Sequence, residues 1–265
     1  MQGDEDFRLL SEDELPPVRV LRPDANSPFF LTADHAGRAI PRRLADLGLP
    51  ASELRRHIAW DIGIAGVTER LSESLGAIAV LQYYSRLVID CNRRPEWVTS
   101  IPVISELTEI PGNSAPSPSE RQARRREIFD PYHEEITRLL DRRQQARAPT
   151  IVVAMHSFTP VFKGVARTVE VGILFSSNDH DLRLPHIMLD LLRAEGGLRV
   201  GENEPYAITG ASDYTVPVHG EGRGLPHLEI EIRQDLIANA DGQAAWAARL
   251  ARLLPIAEKT LREAL

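Results

Sequence analysis

Cysteine is nearly absent from this chain: Cys91 is the only one, which excludes an internal disulfide and any zinc site built from several thiolates. A metal here must be held by His, Asp or Glu. No apolar run approaches the roughly 18 residues of a membrane span. Residues 1–16 carry several acids around one short apolar pair, Leu9-Leu10, so neither a signal peptide nor an anchor is expected. Basic charge is not in excess: 31 Lys and Arg stand against 38 Asp and Glu, a net charge of -7. The arginines alternate with acids, as between Arg121 and Glu127, instead of forming a stripe. Nucleic acid and membrane are therefore not expected as partners, and a reducing cytoplasm is the expected setting. Internal repeats and low-complexity tracts are also missing.

What is present is a globular composition, 43% hydrophobic and 26% charged, with 19 prolines spread along many loops. A chain of 265 residues is within reach of one core, so a single α/β domain is expected over residues 17–265 after an acidic leader over 1–16. Three apolar runs end in polar clusters: Pro28 to Thr32 leads into Asp34-His35-Ala36-Gly37-Arg38, Leu87-Val88-Ile89 into Asp90-Cys91-Asn92-Arg93-Arg94, and Ile151 to Met155 into His156-Ser157. Each reads as a strand followed by a loop. Open α/β sheets bind ligands outside the carboxyl ends of their strands, which makes these junctions favoured functional positions.

Ile64, Val67, Leu71 and Leu75 recur at helical spacing from Asp61, with Gly76 as the C′ residue. Residues 101–117 read as a loop, closed by Ser117-Pro118-Ser119-Glu120, a capping-box spacing with Pro at the first helical position. The helix that follows carries Ile128, Tyr132, Ile136, Leu139 and Leu140 on one face, with a break expected at Pro131 and an end before Pro149. Thr168 to Phe175 reads as a strand, Leu184 to Arg193 as a helix, Leu228 to Ile232 as an alternating strand, and Gln243 to Leu265 as a helix interrupted at Pro255. Strands alternating with helices argue for a sheet covered on both faces.

Imidazole and carboxylate suit zinc, and catalytic zinc takes three protein ligands with a position left open. A single histidine at a strand end is more often a structural residue, but His35 and His156 at equivalent strand ends shift the balance toward a metal. Asp34, Asp61, Asp90 and Glu231 are all candidates for the third ligand, and Asp61 has a competing role as a helix cap. Glu231 lies on a strand expected to be buried, where an unpaired charge is costly, and can serve as a general base. Glu229 shares its face, and one or both acids can instead pair with Arg233 or another arginine on an edge strand. Asn92 beside Arg93 suits a substrate carboxylate, and Arg86 can polarise a carbonyl.

Asp34-His35-Ala36-Gly37-Arg38-Ala39-Ile40-Pro41, Ser85 to Arg93, Asn203-Glu204-Pro205-Tyr206 and Leu228 to Gln234, with His156-Ser157-Phe158 between the second and third, resemble the ordered motifs of the N-formylglutamate amidohydrolases. The resemblance runs through most of the chain. It implies a fold related to the zinc carboxypeptidases and the succinylglutamate desuccinylase and aspartoacylase group, a mixed eight-stranded sheet flanked by helices, with one zinc ion. Glu231-Ile232-Arg233 is similar to the carboxypeptidase segment with the catalytic glutamate, which favours Glu231 over Glu229, and Asn92-Arg93 resembles its carboxylate-binding pair. In one departure, Arg38 stands where the carboxypeptidase His-x-x-Glu motif places its acid. Asp61, in Trp60-Asp61-Ile62-Gly63, resembles the family's acid between the first two strands and is carried over as the third ligand. The resemblance thus implies zinc on His35, Asp61 and His156, Glu231 as base, Arg86 on the oxyanion, and Asn92 with Arg93 on an α-carboxylate. The implied partner is a small acidic N-acyl amino acid such as N-formylglutamate. The alternatives are a carboxypeptidase-like or cell-wall peptide hydrolase, which the expected lack of export disfavours, and a catalytically silent ligand-binding relative.

Overall fold

The computed structural model describes residues 7–176, 181–208 and 213–263. The first half of the chain forms β1 (Val18–Leu21), β2 (Phe29–Ala33), α1 (Ile64–Leu75), β3 (Ile78–Gln82), a hairpin of β4 (Ile104–Ser105) and β5 (Thr108–Glu109), α2 (Pro118–Arg124) and α3 (Asp130–Gln145). The second half forms β6 (Ile151–Phe158), a hairpin of β7 (Val161–Phe162) and β8 (Val165–Ala166), β9 (Val171–Leu174), α4 (Arg183–Ala194), β10 (Val200–Glu202), β11 (His227–Arg233) and α5 (Ala240–Glu263). One mixed sheet runs in the order β1-β3-β2-β6-β11-β9-β10, with β3, β2, β6 and β11 as parallel neighbours. It has seven strands among the described residues, against the eight that the resemblance implies.

β2, β6 and β11 are buried along their whole length, as strands covered on both faces must be. Their successive side chains divide between two cores. Phe29 and Leu31, Val153 and Met155, and Leu228, Ile230 and Ile232 pack with Ile64, Leu71, Met188, Leu250 and Leu254 of α1, α4 and α5. Phe30, Val80 and Val152 face the other way, toward Tyr132, Ile136 and Leu139 of α3. This alternation sends His156, Glu229 and Glu231 off the sheet on the face opposite α1, α4 and α5.

Several local expectations are corrected. Leu87-Val88-Ile89 is not a strand but a turn-containing segment buried in the second core, and β3 takes the sheet position. Side chains satisfy its carbonyls in place of a ladder: Asn113 Nδ2 donates to Leu87 O at 2.8 Å, and fully buried Arg124 donates to Val88 O at 2.9 Å. The apolar run marked burial and not pairing. His156 and Ser157 lie inside β6, which continues to Phe158. Helix α1 starts at Ile64, after Gly63 at φ 85°, where a Cβ would meet Ile237 O at 2.2 Å. Only glycine fits that turn, and the turn detaches Asp61 from the helix it was expected to begin.

The loop expected over 101–117 contains the β4–β5 hairpin. Ser117 Oγ accepts from the Glu120 N–H at 3.1 Å, as its spacing predicts. The break expected at Pro131 takes the form of a π-turn over Arg125–Phe129 that joins α2 to α3, a wider turn that accommodates the ring and the missing N–H. Pro255 does not interrupt α5. Leu250 and Leu254 before it, and Ala257 and Leu261 after it, are buried in the first core, which outweighs one lost hydrogen bond. Residues 1–6 of the acidic leader and 264–265 of the expected last helix lie outside the described residues. No described helix is long and apolar enough to cross a membrane.

The second core also holds a buried histidine pair. His133 Nε2 donates to Cys91 O at 2.8 Å, which leaves Nδ1 to accept from His219 Nε2 at 3.0 Å. Burial pushes His133 down to about 4 and His219 down to about 3. The unfolded chain takes up these protons near pH 6.5 and the folded chain does not, so this contribution to stability is fully present above about pH 6.5 and is lost as pH falls toward about 4. His219→Gln keeps an N–H for His133, and in urea unfolding it should lose about 2 kcal/mol less than the parent chain between about pH 7.5 and about pH 5. Equal losses would remove the pair as the acid-labile element.

Candidate active site

Beyond the carboxyl end of β2, and alongside the last turns of β6 and β11, the sheet opens into a cleft of about 340 Å³. His35, Asp61, Arg86, Arg93, His156 and Glu231 line it. His35 follows β2 on a segment pressed against Tyr83, where a Cβ on Gly37 would meet Tyr83 O at 1.9 Å. The Asp61 N–H donates to His35 O at 2.9 Å, which ties the freed aspartate to the histidine loop. Glu231 stands beside His156 in the parallel register of β11 and β6.

His35 Nδ1 lies 3.6 Å from Asp61 Oδ2, and His156 Nδ1 lies 3.1 Å from the same oxygen. All three side chains are buried, and their donor atoms lie within 4.8 Å of one another. Donors held about 2.0–2.1 Å from a tetrahedral ion sit roughly 3.3 Å apart, and the observed separations straddle that value. His35 Nε2 is engaged by Asp90 Oδ1 at 2.7 Å, so the ring's lone pair is on Nδ1, which is buried without a hydrogen bond among the described residues. Two imidazoles and a carboxylate arranged in this way fit a metal ion.

Carboxylates stand behind both histidines, the arrangement that fixes the tautomer and orientation of a ligating ring. Asp90 receives His35 on Oδ1 and Arg86 on Oδ2 at 2.7 Å. Asp34 Oδ1 accepts from Tyr132 O–H at 2.6 Å, and its Oδ2 faces His156 Nε2 at 3.4 Å. Asp34 and Asp90, candidates for the third ligand, thus lie behind the rings, whereas Asp61 lies in front. Tyr132 was expected only as part of a helix's apolar face, and its spacing does not distinguish it from Ile128 or Ile136. Burial would raise all three acids, but the histidines beside them, with Arg86 at Asp90, hold Asp34 at about 2 and the other two well below the usual range. Despite burial, the neighbouring acids push His35 and His156 upward.

Glu229 and Glu231 do not pair with Arg233, whose partners are Asp235 at 2.7 Å and Glu170 at 3.7 Å. Both glutamates are buried, and neither Oε2 makes a hydrogen bond among the described residues. Burial, with Asp213 and Asp34 nearby, pushes Glu229 up to about 7. Burial, with Asp61 and Glu229 nearby, pushes Glu231 well above the usual range. Their surroundings differ: Glu229 Oε2 lies 3.9 Å from His156 Nε2, behind the ring, while the charges of Asp61 and Arg86 act on Glu231.

Asn92 Oδ1 accepts from the N–H groups of Tyr214 and Thr215 at 2.9 and 3.0 Å, so its amide nitrogen is the group that can turn to a ligand. Arg93 donates to Asn92 O at 2.9 Å and to Asp213 Oδ1 at 3.0 Å. Asp213, on the cleft wall, carries no sequence signal that marks it. Tyr206 does, through the Asn203-Glu204-Pro205-Tyr206 motif: Asn203 sits at φ 51° and accepts from the Phe175 N–H at 2.9 Å, which anchors the segment that brings Tyr206 to the cleft.

A family model described as N-formylglutamate amidohydrolase matches residues 27–238. Among solved structures, the chain is similar to gene product Atu2144 from Agrobacterium tumefaciens, with 41% identity, 96% of this chain and 100% of that chain covered, and a TM-score of 0.91. It is also similar in fold to the N-formylglutamate amidohydrolase from Ralstonia eutropha JMP134, with 21% identity, 94% of this chain and 100% of that one covered, and a TM-score of 0.68. No curated protein is detectably similar in sequence.

Asp90→Asn should leave the fold intact and weaken the binding of a divalent metal, with added zinc as the probe, about 10–100-fold, read by competition with a chromophoric chelator. An unchanged affinity would show that Asp90 does not orient His35.

Proposed function

Because the chain belongs to the N-formylglutamate amidohydrolase family, we propose that it hydrolyses the amide of a small acidic N-acyl amino acid, with N-formylglutamate as the leading example, using one zinc ion on His35, Asp61 and His156. The observation that carries this reading is the buried convergence of those donors with Glu231 next to His156 in register. When bound, zinc supplies Lewis acidity to the water and the scissile carbonyl.

The chain's own residues do the rest. Glu231, whose Oε2 makes no hydrogen bond among the described residues and whose carboxyl the charge of a bound dication would bring back to its ionised form, takes a proton from the attacking water and delivers it to the departing amine nitrogen. Arg86, steadied by Asp90, presents its guanidinium to the oxygen that gains negative charge as the carbonyl becomes tetrahedral. Asn92 Nδ2 and Arg93 hold the α-carboxylate and so fix the amide against Glu231. The products are a short carboxylic acid and a free acidic amino acid. The single cysteine, Cys91, is buried, which suits work in a reducing cytoplasm.

Glu231→Gln should retain stoichiometric zinc by elemental analysis and lower kcat by about 10²–10⁴; near-parental turnover would remove Glu231 as the base. Arg93→Ala should chiefly raise KM across a panel of N-acyl amino acids, and kinetics identical to the parent would take it out of the binding site. If the zinc-loaded parent hydrolyses no N-acyl amino acid in the panel, the proposed activity is wrong.

A further inference from the structure

Glu229 is a cleft carboxylate to which the reaction above gives no task, and its position is costly. On β11 it stands in register with Ala154 of β6 on one side and Leu174 of β9 on the other. Those two residues belong to a small buried apolar cluster with Ile208 and Val216, so neither register position beside Glu229 offers it a cation or a side-chain donor. A buried carboxylate among apolar side chains is retained where something engages it.

Glu229 faces the back of His156. Its Oε2 lies 3.9 Å from His156 Nε2, and Asp34 Oδ2 lies 3.4 Å from the same nitrogen. Asp34 is not free to turn closer, because its Oδ1 accepts from Tyr132 O–H at 2.6 Å. His156 Nε2, Asp34 Oδ2 and Glu229 Oε2 are all buried, and none makes a hydrogen bond among the described residues. Both gaps exceed the roughly 2.7–3.2 Å of an N–H···O bond. A ring that gives Nδ1 to a metal keeps its proton on Nε2. The space behind His156 is therefore bordered by one N–H donor and two carboxylate oxygens, a set that one direct bond leaves incomplete. A water molecule is its complement, since it accepts one hydrogen bond and donates two. Held about 2.9 Å from each partner, it spans separations up to about 5.8 Å. About three polar partners are also what a buried water usually has.

We propose that Glu229 is a positioning residue for His156: together with Asp34 it holds one buried water that accepts from His156 Nε2–H and so keeps Nδ1 turned toward Asp61 and His35. The two glutamates of β11 then divide the work, Glu231 on the reacting groups and Glu229 on the ligating ring. The inference rests on the zinc reading above. The competing arrangement is Asp34 alone behind His156.

Metal affinity tests Glu229 without turnover. The full chain and its Glu229→Leu and Glu229→Gln variants are stripped of metal and titrated with zinc against a chromophoric chelator. Glu229→Leu, which extends the apolar cluster but accepts no hydrogen bond, should bind zinc about 10–100-fold more weakly than the parent. Glu229→Gln, whose carbonyl oxygen still accepts from the water, should recover most of that loss. Both variants lose the charge, so the difference between them reads the hydrogen bond. Metal-free Glu229→Leu should unfold in urea at no lower a concentration than the metal-free parent, since leucine replaces a buried acid that has no ionic partner beside it on the sheet. Parental zinc affinity in Glu229→Leu, or an equal loss in both variants, overturns the assignment.

A crystal structure of the zinc-loaded parent supplies a check that needs no variant to fold. One water within about 3.2 Å of His156 Nε2, Asp34 Oδ2 and Glu229 Oε2 is expected, and a direct bond from Nε2 to either carboxylate with no water between them refutes the bridge. A parent that binds no zinc refutes the metal reading and this inference with it. A parent that binds zinc no more tightly than Glu229→Leu refutes this inference alone.

Discussion

Asp61 Oδ2 lies between two imidazole nitrogens, 3.1 Å from one and 3.6 Å from the other, at a depth where solvent barely reaches. An isolated carboxylate moved to such a place loses several kcal/mol of hydration, and an isolated imidazolium does the same. Neither is tolerable alone, so the charges can only be buried together and in a fixed geometry. Gly63 supplies the turn that frees Asp61, and the Asp61 N–H bond to His35 O sets its distance from β2. The parallel pairing of β6 with β11 sets where His156 stands relative to Glu231. Asp90 and Asp34 complete the arrangement from behind the rings, each held in turn by Arg86 or Tyr132.

This mutual dependence also explains why the site uses histidine nitrogens close to the ring's point of attachment. Nδ1 faces the shared oxygen in both rings, leaving each Nε2 to look outward to a carboxylate. A short reach from backbone to donor atom leaves little rotamer freedom, so the precision of the strands is passed to the cluster with little loss.

The sequence made the central strands and the paired histidines legible because both express themselves locally. Fully apolar stretches such as Phe29 to Leu31 and Ile151 to Met155 admit few roles other than buried strand, and the alternation of Glu229 and Glu231 with Leu228, Ile230 and Ile232 announces which side is polar. Leu87-Val88-Ile89 was misleading because burial in a loop leaves the same apolar signature when Asn113 and Arg124 supply the hydrogen bonds. Asp61 remained ambiguous for a related reason: only the left-handed conformation of Gly63 separates an aspartate that opens a helix from one released into a cleft. Tyr132 and Asp213 act through partners far away in the chain, and their spacing carries no trace of that.

The buried Arg124 has a wider mechanical meaning. By gripping Val88 O and, through Asn113, Leu87 O, it fastens the segment that bears Arg86, Asp90, Asn92 and Arg93 to α2, inside a densely filled core. Phe158 and Thr159 also line the cleft, and they lead into the short β7–β8 hairpin, whose Val161 and Val165 stand in solvent. Local opening is cheapest where few apolar contacts are buried. The cleft therefore has a stiff side that keeps the reacting groups in register, and it adjoins a hairpin whose local opening costs less.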